Sequence, residues 1–249
     1  MTAFTWTGGS GNWDSGSSWT PTGGPPTATD TATINATGTY AVTIDSADVA
    51  QTVILDSAGV TIDDSAGGSL TVGMTLGIDA GTYDLMGGTL AAAHIRIQHG
   101  GLLEGSGTIG ATVTNNSKIE VSSGTLDFKR QVNSSPSRTG TDSVSGGAVL
   151  EFDKKVFASQ HIDFGAGGGT LDLTDPKVFF SHIGGFWTGD SIDLAGAWTF
   201  QSISQPTRGI TDLVLASAGL DHKFVFVGGF AQSDFTVTPA GSNTTITFA

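Results

Sequence analysis

The chain reads as an all-β protein, a right-handed parallel β-helix (β-solenoid) with capping segments, and three observations carry that reading. Glycine-then-leucine punctuation recurs at Gly67-Gly68-Ser69-Leu70, Gly87-Gly88-Thr89-Leu90, Gly100-Gly101-Leu102-Leu103, Ser123-Gly124-Thr125-Leu126, Gly146-Gly147-Ala148-Val149-Leu150 and Gly168-Gly169-Thr170-Leu171, with one short step, from Leu90 to Leu103. A unit of roughly 20 residues cannot bury its own apolar face and must stack on its neighbours. Within each unit apolar residues pair across one polar position, as in Val42/Ile44, Val60/Ile62, Ile119/Val121, Leu126/Phe128, Leu150/Phe152 and Leu171/Leu173. This is strand alternation with two inward side chains per strand. Finally, 37 glycines, seven prolines and 13% charged residues in 249 suit a turn-rich chain and disfavour helix bundles. An antiparallel sandwich has similar turn spacing but no reason to repeat its strand-turn grammar so closely.

Three regions follow. Residues 1–40 form a Trp/Gly-rich N-terminal cap and first strand, 41–195 the solenoid, and 196–249 a C-terminal β cap that doubles as a candidate secretion or assembly module. The first region holds Trp6, Trp13 and Trp19, three of the five tryptophans. Such rings either cover the first coil, as stacked repeats require, or stack on sugar rings; the cap is the expectation. Within the solenoid, residues 129–145 are polar and read as a loop projecting from the wall. After Ala195 the apolar runs lengthen, as in Lys223-Phe224-Val225-Phe226-Val227, with Gly228-Gly229 and Ala240-Gly241-Ser242-Asn243 as turn signals.

The opening Trp6-Thr7-Gly8-Gly9-Ser10-Gly11-Asn12-Trp13, the run Gly101-Leu102-Leu103-Glu104-Gly105-Ser106-Gly107-Thr108-Ile109 and the segment Gly189-Asp190-Ser191-Ile192-Asp193-Leu194 resemble repeats of bacterial autotransporter-type and large secreted surface proteins. The C-terminal region is similar in character to the tails of type I secretion substrates. The resemblance implies an adhesin-like or matrix β-solenoid, extracellular or on the cell surface.

A net charge of −13 repels a phosphate backbone, so nucleic acid is not an expected partner. No apolar run approaches the ~20 residues of a spanning helix, so membrane insertion is not expected either. Met1-Thr2-Ala3-Phe4 opens no signal peptide: either the chain stays in the cytosol, or a route that reads no N-terminal signal exports it, or its signal is missing from these residues. The absence of cysteine excludes disulfides, thiolate metal sites and a cysteine nucleophile.

Carboxylates recur at the outward middle position of strands, at Glu120, Asp127, Glu151, Asp163, Asp172 and Asp193. Asp127, Glu151, Asp172 and Asp193 are about one coil apart, which stacks like charges roughly 5 Å from one another. A hard cation such as calcium is one way to relieve that repulsion, alongside solvation, offset register or pairing with Lys and Arg. The dedicated calcium nonapeptide is absent, because Gly8-Gly9-Ser10-Gly11-Asn12 is followed by Trp13 where aspartate is needed. Asp63/Asp64, Asp172/Asp175 and Asp190/Asp193 are the carboxylate pairs a glycosidase would want. Against catalysis, Arg96, Arg130, Arg138 and Arg208 are scattered, and His94, His99, His161, His182 and His222 show no metal-ligand spacing. Gly105-Ser106-Gly107-Thr108-Ile109-Gly110 fits a dinucleotide fingerprint but opens no helix. The expectation is therefore a non-enzymatic, extracellular structural or adhesive protein that needs no cofactor, forms a homo-oligomer or filament and contacts cell-surface glycan. The alternative is a polysaccharide-binding or polysaccharide-degrading parallel β-helix.

Overall fold

A computed structural model describes residues 1–249 and shows a parallel β-solenoid of about eight turns, closed at both ends. A coil typically contributes a short strand to each of three walls, the first wall thinning to single bridges at Val156 and Phe179. The first wall runs through Ala3–Trp6, Thr31–Ile34, Thr112–Asn115 and Val132–Asn133, with the two long strands Thr52–Ser65 and Ser69–Ile97 between. The second wall includes Tyr40–Ile44, Gly101–Ile109, Lys118–Val121, Gly140–Val144, Gln160–Phe164 and His182–Gly184. The third includes Ala47–Ala50, Thr125–Phe128, Ala148–Phe152, Gly169–Leu173 and Ser191–Leu194. The two longest strands bend across corners and serve more than one wall.

The apolar pairs point inward and stack like on like. Phe4, Ala32, Val53 and Leu76 lie in register on the first wall, followed by Ile95, Val113, Val132, Val156 and Phe179. On the third wall Leu126, Leu150, Leu171 and Ile192 stack, beside Ile109, Phe128, Phe152, Leu173 and Leu194. Phe128 and Phe152 lie 5.3 Å apart between centroids. Each such side chain contributes on the order of 2 kcal/mol by leaving water. The short step from Leu90 to Leu103 now has a cause. Leu103 belongs to the second wall, between Tyr83 and Ile119, whereas Leu126 and Leu150 belong to the third. The third-wall place beside Leu126 is taken by Gly107, at φ 141°, where a Cβ would come within 2.5 Å of the Leu85 side chain. Gly105 and Gly107 of the fingerprint-like run are therefore corner residues inside Gly101–Ile109, Gly110 follows just after it, and no helix comes next.

One rung interrupts the apolar stack. Asp142 takes an inward position on the second wall between Ile119 and Ile162 and is fully buried. Asn115 Nδ2 donates to its Oδ1 at 2.8 Å, Gln160 lies against Asn115, and Oδ2 has no partner.

Residues 129–145 are not a projecting loop. They contain Val132–Asn133 and Gly140–Val144, which continue the first and second walls, leaving only 134–139 as the turn between them. Polarity misleads there, because a solenoid strand faces solvent on alternate residues and needs only two apolar side chains.

The N-terminal region is both cap and coil. Ala3–Trp6 is the first rung of the first wall, Gly11–Asn12 the first rung of the second, and Trp19–Thr20 folds back antiparallel along Ala3–Trp6. At the other end Thr199–Thr207, Ile210–Ser217 and Leu220–Val227 form an antiparallel meander whose last strand extends the second wall. The hairpin Phe235–Ala240 and Asn243–Phe248 extends the third wall, pairing antiparallel with Ser191–Leu194. Phe186, Phe226 and Phe235 plug the core between them, with centroids 5.4 and 4.9 Å apart along the chain of contacts. No helix is long and apolar enough to cross a membrane.

Candidate functional site

Two carboxylate ladders run up the rod, and their surroundings differ. The four third-wall residues singled out by spacing do stack: Asp127 lies in register with Glu151, Glu151 with Asp172, and Asp172 with Asp193. Burial pushes the carboxyls of Glu151 and Asp172 up, and the neighbouring charges of the ladder push the same way. The ladder is nevertheless tied at both ends. Lys129 Nζ reaches Asp127 at 2.5 Å and Asp153 at 3.0 Å, and those two hydrogen bonds hold its ammonium well above the ordinary lysine range. Thr245, from the C-terminal hairpin, donates to Asp193 at 2.7 Å. Oxygens of Asp127, Glu151 and Asp153 lie within 4.8 Å of one another, a spacing that fits a cation. That cation would have to displace Lys129, which already supplies the opposite charge there.

The second ladder escapes the spacing argument. On the second wall Asp63, Asp84, Glu104 and Glu120 occupy four successive outward rungs, joined by the register pairs Asp63 with Asp84, Asp84 with Glu104, and Glu104 with Glu120. A cavity of about 530 Å³ opens against the last three, floored by Gly105 and walled by Ser106, Ser122, Ser143 and Ser145. Burial pushes the Asp84 carboxyl up and the Asp63 charge pushes it further; burial, then Asp84 and Glu120, do the same to Glu104. Lys118 pairs with Glu120 and is the one cation in an ion pair with this ladder. The groove's carboxylates stand on adjacent rungs, as two acids acting on a sugar would, but their oxygens do not converge on one ion as those of Asp127, Glu151 and Asp153 do.

The remaining candidates separate cleanly. Trp6, Trp13 and Trp19 pack edge to face, with centroids 5.0 and 4.9 Å apart, and are at most 1% exposed. They serve as cap aromatics, and no face of them is open to a glycan. Asp63 and Asp64 point to opposite sides of their strand. Asp64 is buried and accepts a hydrogen bond from Tyr83 at 2.9 Å, and burial raises its carboxyl to about 6. Asp190 is buried and accepts from the Trp187 amide, so it is not paired with the outward Asp193. His161 and His182 stack 5.3 Å apart on successive rungs, and their one-coil separation in the sequence is the signal that could have found the pair.

The reading of scattered cations is also corrected. Arginines alone are scattered, but Lys129, Arg130, Lys154 and Lys155 converge on a second cavity of about 560 Å³ at the corner between the third and first walls. No family model and no curated protein matches the chain. What defines it is a capped parallel β-solenoid with two acidic ladders and one basic corner.

Proposed function

We propose that the protein is an extracellular structural or adhesive rod that associates sideways, through the open carboxylate ladder of the second wall, with calcium as the bridge between copies. One observation carries this reading. Both ends are covered, while four successive outward carboxylates on the second wall face solvent with a single lysine among them. The core is plugged at both ends, although Thr199–Thr207 and Phe235–Ala240 remain edge strands with one partner each, and stacked like charges along the wall favour a divalent cation that takes oxygen ligands. On this reading calcium bridges copies at Asp84, Glu104 and Glu120, rather than sitting within one copy on the ladder of Asp127, Glu151, Asp172 and Asp193, where Lys129 already stands. The surface location and adhesin-like kinship belong to the same proposal and rest on the resemblance of the repeats. Light scattering with and without millimolar calcium tests it: particle mass that rises with calcium and falls with chelator supports the rod, and a calcium-indifferent monomer overturns it.

A second reading has its own observation. The same groove places carboxyls with raised affinity for protons on adjacent rungs, whose backbone spacing of ~4.8 Å is near the ~5 Å between the paired acids of retaining glycosidases. Release of reducing sugar from neutral or acidic polysaccharides, lost in Glu104→Gln, would establish it; no release from any of them would dismiss it.

A further inference from the structure

Five of the ten lysines and arginines fall on one edge of this acidic rod. Lys129 and Arg130 follow the third-wall strand Thr125–Phe128, Lys154 and Lys155 follow Ala148–Phe152, and Lys177 lies in the turn Pro176–Val178 after Gly169–Leu173. The corners stack as the strands do: the Val132 amide donates to Lys155 O at 3.0 Å and the Val156 amide to Val178 O at 3.2 Å. The solenoid thus converts a one-coil recurrence of basic pairs into a column of cations. Lys129 is committed to Asp127 and Asp153, but Arg130, Lys154 and Lys155 make no ion pair. All three line the concavity of about 560 Å³, together with Thr112, Gln131 and the single carboxylate of Asp175.

Beside the cations stand aromatic faces. Val156 and Phe179 turn inward in register, so the residues that follow them, Phe157 and Phe180, turn outward on adjacent rungs. Lys155 Nζ lies 4.2 Å from the Phe157 centroid and 5.3 Å from that of Phe180, and Phe180 is 45% exposed. Lys155 makes a favourable cation–π contact with both rings, and Phe180 still leaves apolar surface open beside it. A simple anion would satisfy the cations and leave the rings wet. A pyranose carrying an acidic substituent satisfies both, laying its apolar C–H face on a ring and its anion on Arg130, Lys154 and Lys155. Nucleic acid also combines bases with phosphates, but its unbroken charge would run against Asp127, Asp153 and Asp175 and the net charge of −13.

We infer that the corner formed by Arg130, Lys154, Lys155, Phe157 and Phe180 is a binding site for an anionic oligosaccharide, carrying its charge as carboxylate or sulfate. None of these residues belongs to the second wall, so the site stands whether or not the rod assembles there. Calorimetric titration in chelator-containing buffer, with tetragalacturonate, a sulfated oligosaccharide, a neutral tetrasaccharide, inorganic sulfate and single-stranded DNA, tests it. The expected result is binding of one or both acidic oligosaccharides, weakened about tenfold by Arg130→Gln with Lys154→Gln and severalfold by Phe180→Ala, and weakened by salt. Which acidic sugar binds more tightly identifies the anion. Absence of binding by both, equal binding of the neutral sugar or of sulfate, tighter binding of DNA, or variants that bind as the parent does, would each overturn it. These side chains lie on the surface, and unchanged thermal unfolding shows that the variants report on binding.

Discussion

The second and third walls share one backbone geometry and one pattern of outward carboxylates, and each ladder has one lysine paired with it, but the third is tied at both ends while Glu151 and Asp172 stay unpaired between them. There Lys129 follows its strand directly and reaches across two coils to Asp127 and Asp153. On the second wall Lys118 meets Glu120 alone, and Asp63, Asp84 and Glu104 face one another. The inward side repeats the contrast. The second wall buries Asp64 and Asp142, each with an orphaned oxygen, whereas the third buries Asp48, which accepts from the Ser46 hydroxyl at 3.5 Å. A repeat that stacks strands in register multiplies whatever stands at one position. How far a column of acids is tied down therefore depends on whether its lysine bridges two coils, as Lys129 does, or pairs within one, as Lys118 does.

The largest expected effect tests the inward side. Burial pushes the Asp142 carboxyl up to about 7; burial and the neighbouring Asp14 carboxyl do the same for Asp48, also to about 7; and Asp64 rises to about 6. The unfolded chain releases those protons near 3.8, so the native state binds more protons between that pH and about 7. Stability then falls as pH rises through this window and levels off above it. Thermal melts from pH 4 to 8 are expected to show that decline, opposite to the usual loss in mild acid. Asp142→Asn is expected to make it shallower, leaving the share of Asp48 and Asp64, and to gain on the order of 1–3 kcal/mol at pH 8, by keeping the hydrogen-bonding shape without the buried charge. A curve that rises with pH would break the account of the second wall's interior.

Smaller effects test the outer ladders. Lys129→Ala should cost about 1 kcal/mol in urea unfolding at low salt, a modest loss because the lysine is 43% exposed, and the loss should shrink in 1 M salt. Glu104→Gln should do the reverse at pH 8, gaining about 0.5 kcal/mol by relieving Asp84 and Glu120. Lys118→Ala should fall within about 0.5 kcal/mol, since it removes one exposed pair. If Lys118 mattered as much as Lys129, the two walls would not differ as described.

The fold is legible in the sequence because inward pairs such as Leu126/Phe128 and Leu150/Phe152 keep their period and their chemistry. The third-wall ladder is legible for the same reason, since the steps from Asp127 to Glu151, Asp172 and Asp193 are nearly equal. The second-wall ladder is hidden by uneven turns. Asp63, Asp84 and Glu104 keep an even step, but the chain from Glu104 to Glu120 makes a shorter circuit. The basic corner escapes for a different reason. Counting arginines alone shows scatter, although Lys129-Arg130 and Lys154-Lys155 recur at the coil spacing. Asp142 is missed because its polarity argues for solvent, although in Gly140-Thr141-Asp142-Ser143-Val144 the alternation puts it on the same inward face as Val144.

The measurement that bears most directly on the open second wall is negative-stain electron microscopy with light scattering, with and without millimolar calcium, on three proteins: the parent, Asp84→Asn with Glu104→Gln, and Glu151→Gln with Asp172→Asn. The expected result is laterally associated rods in calcium for the parent and the third-wall variant, and monomers for the second-wall variant. Assembly that survives loss of Asp84 and Glu104 but disappears with Glu151 and Asp172, or no assembly at all, would contradict it.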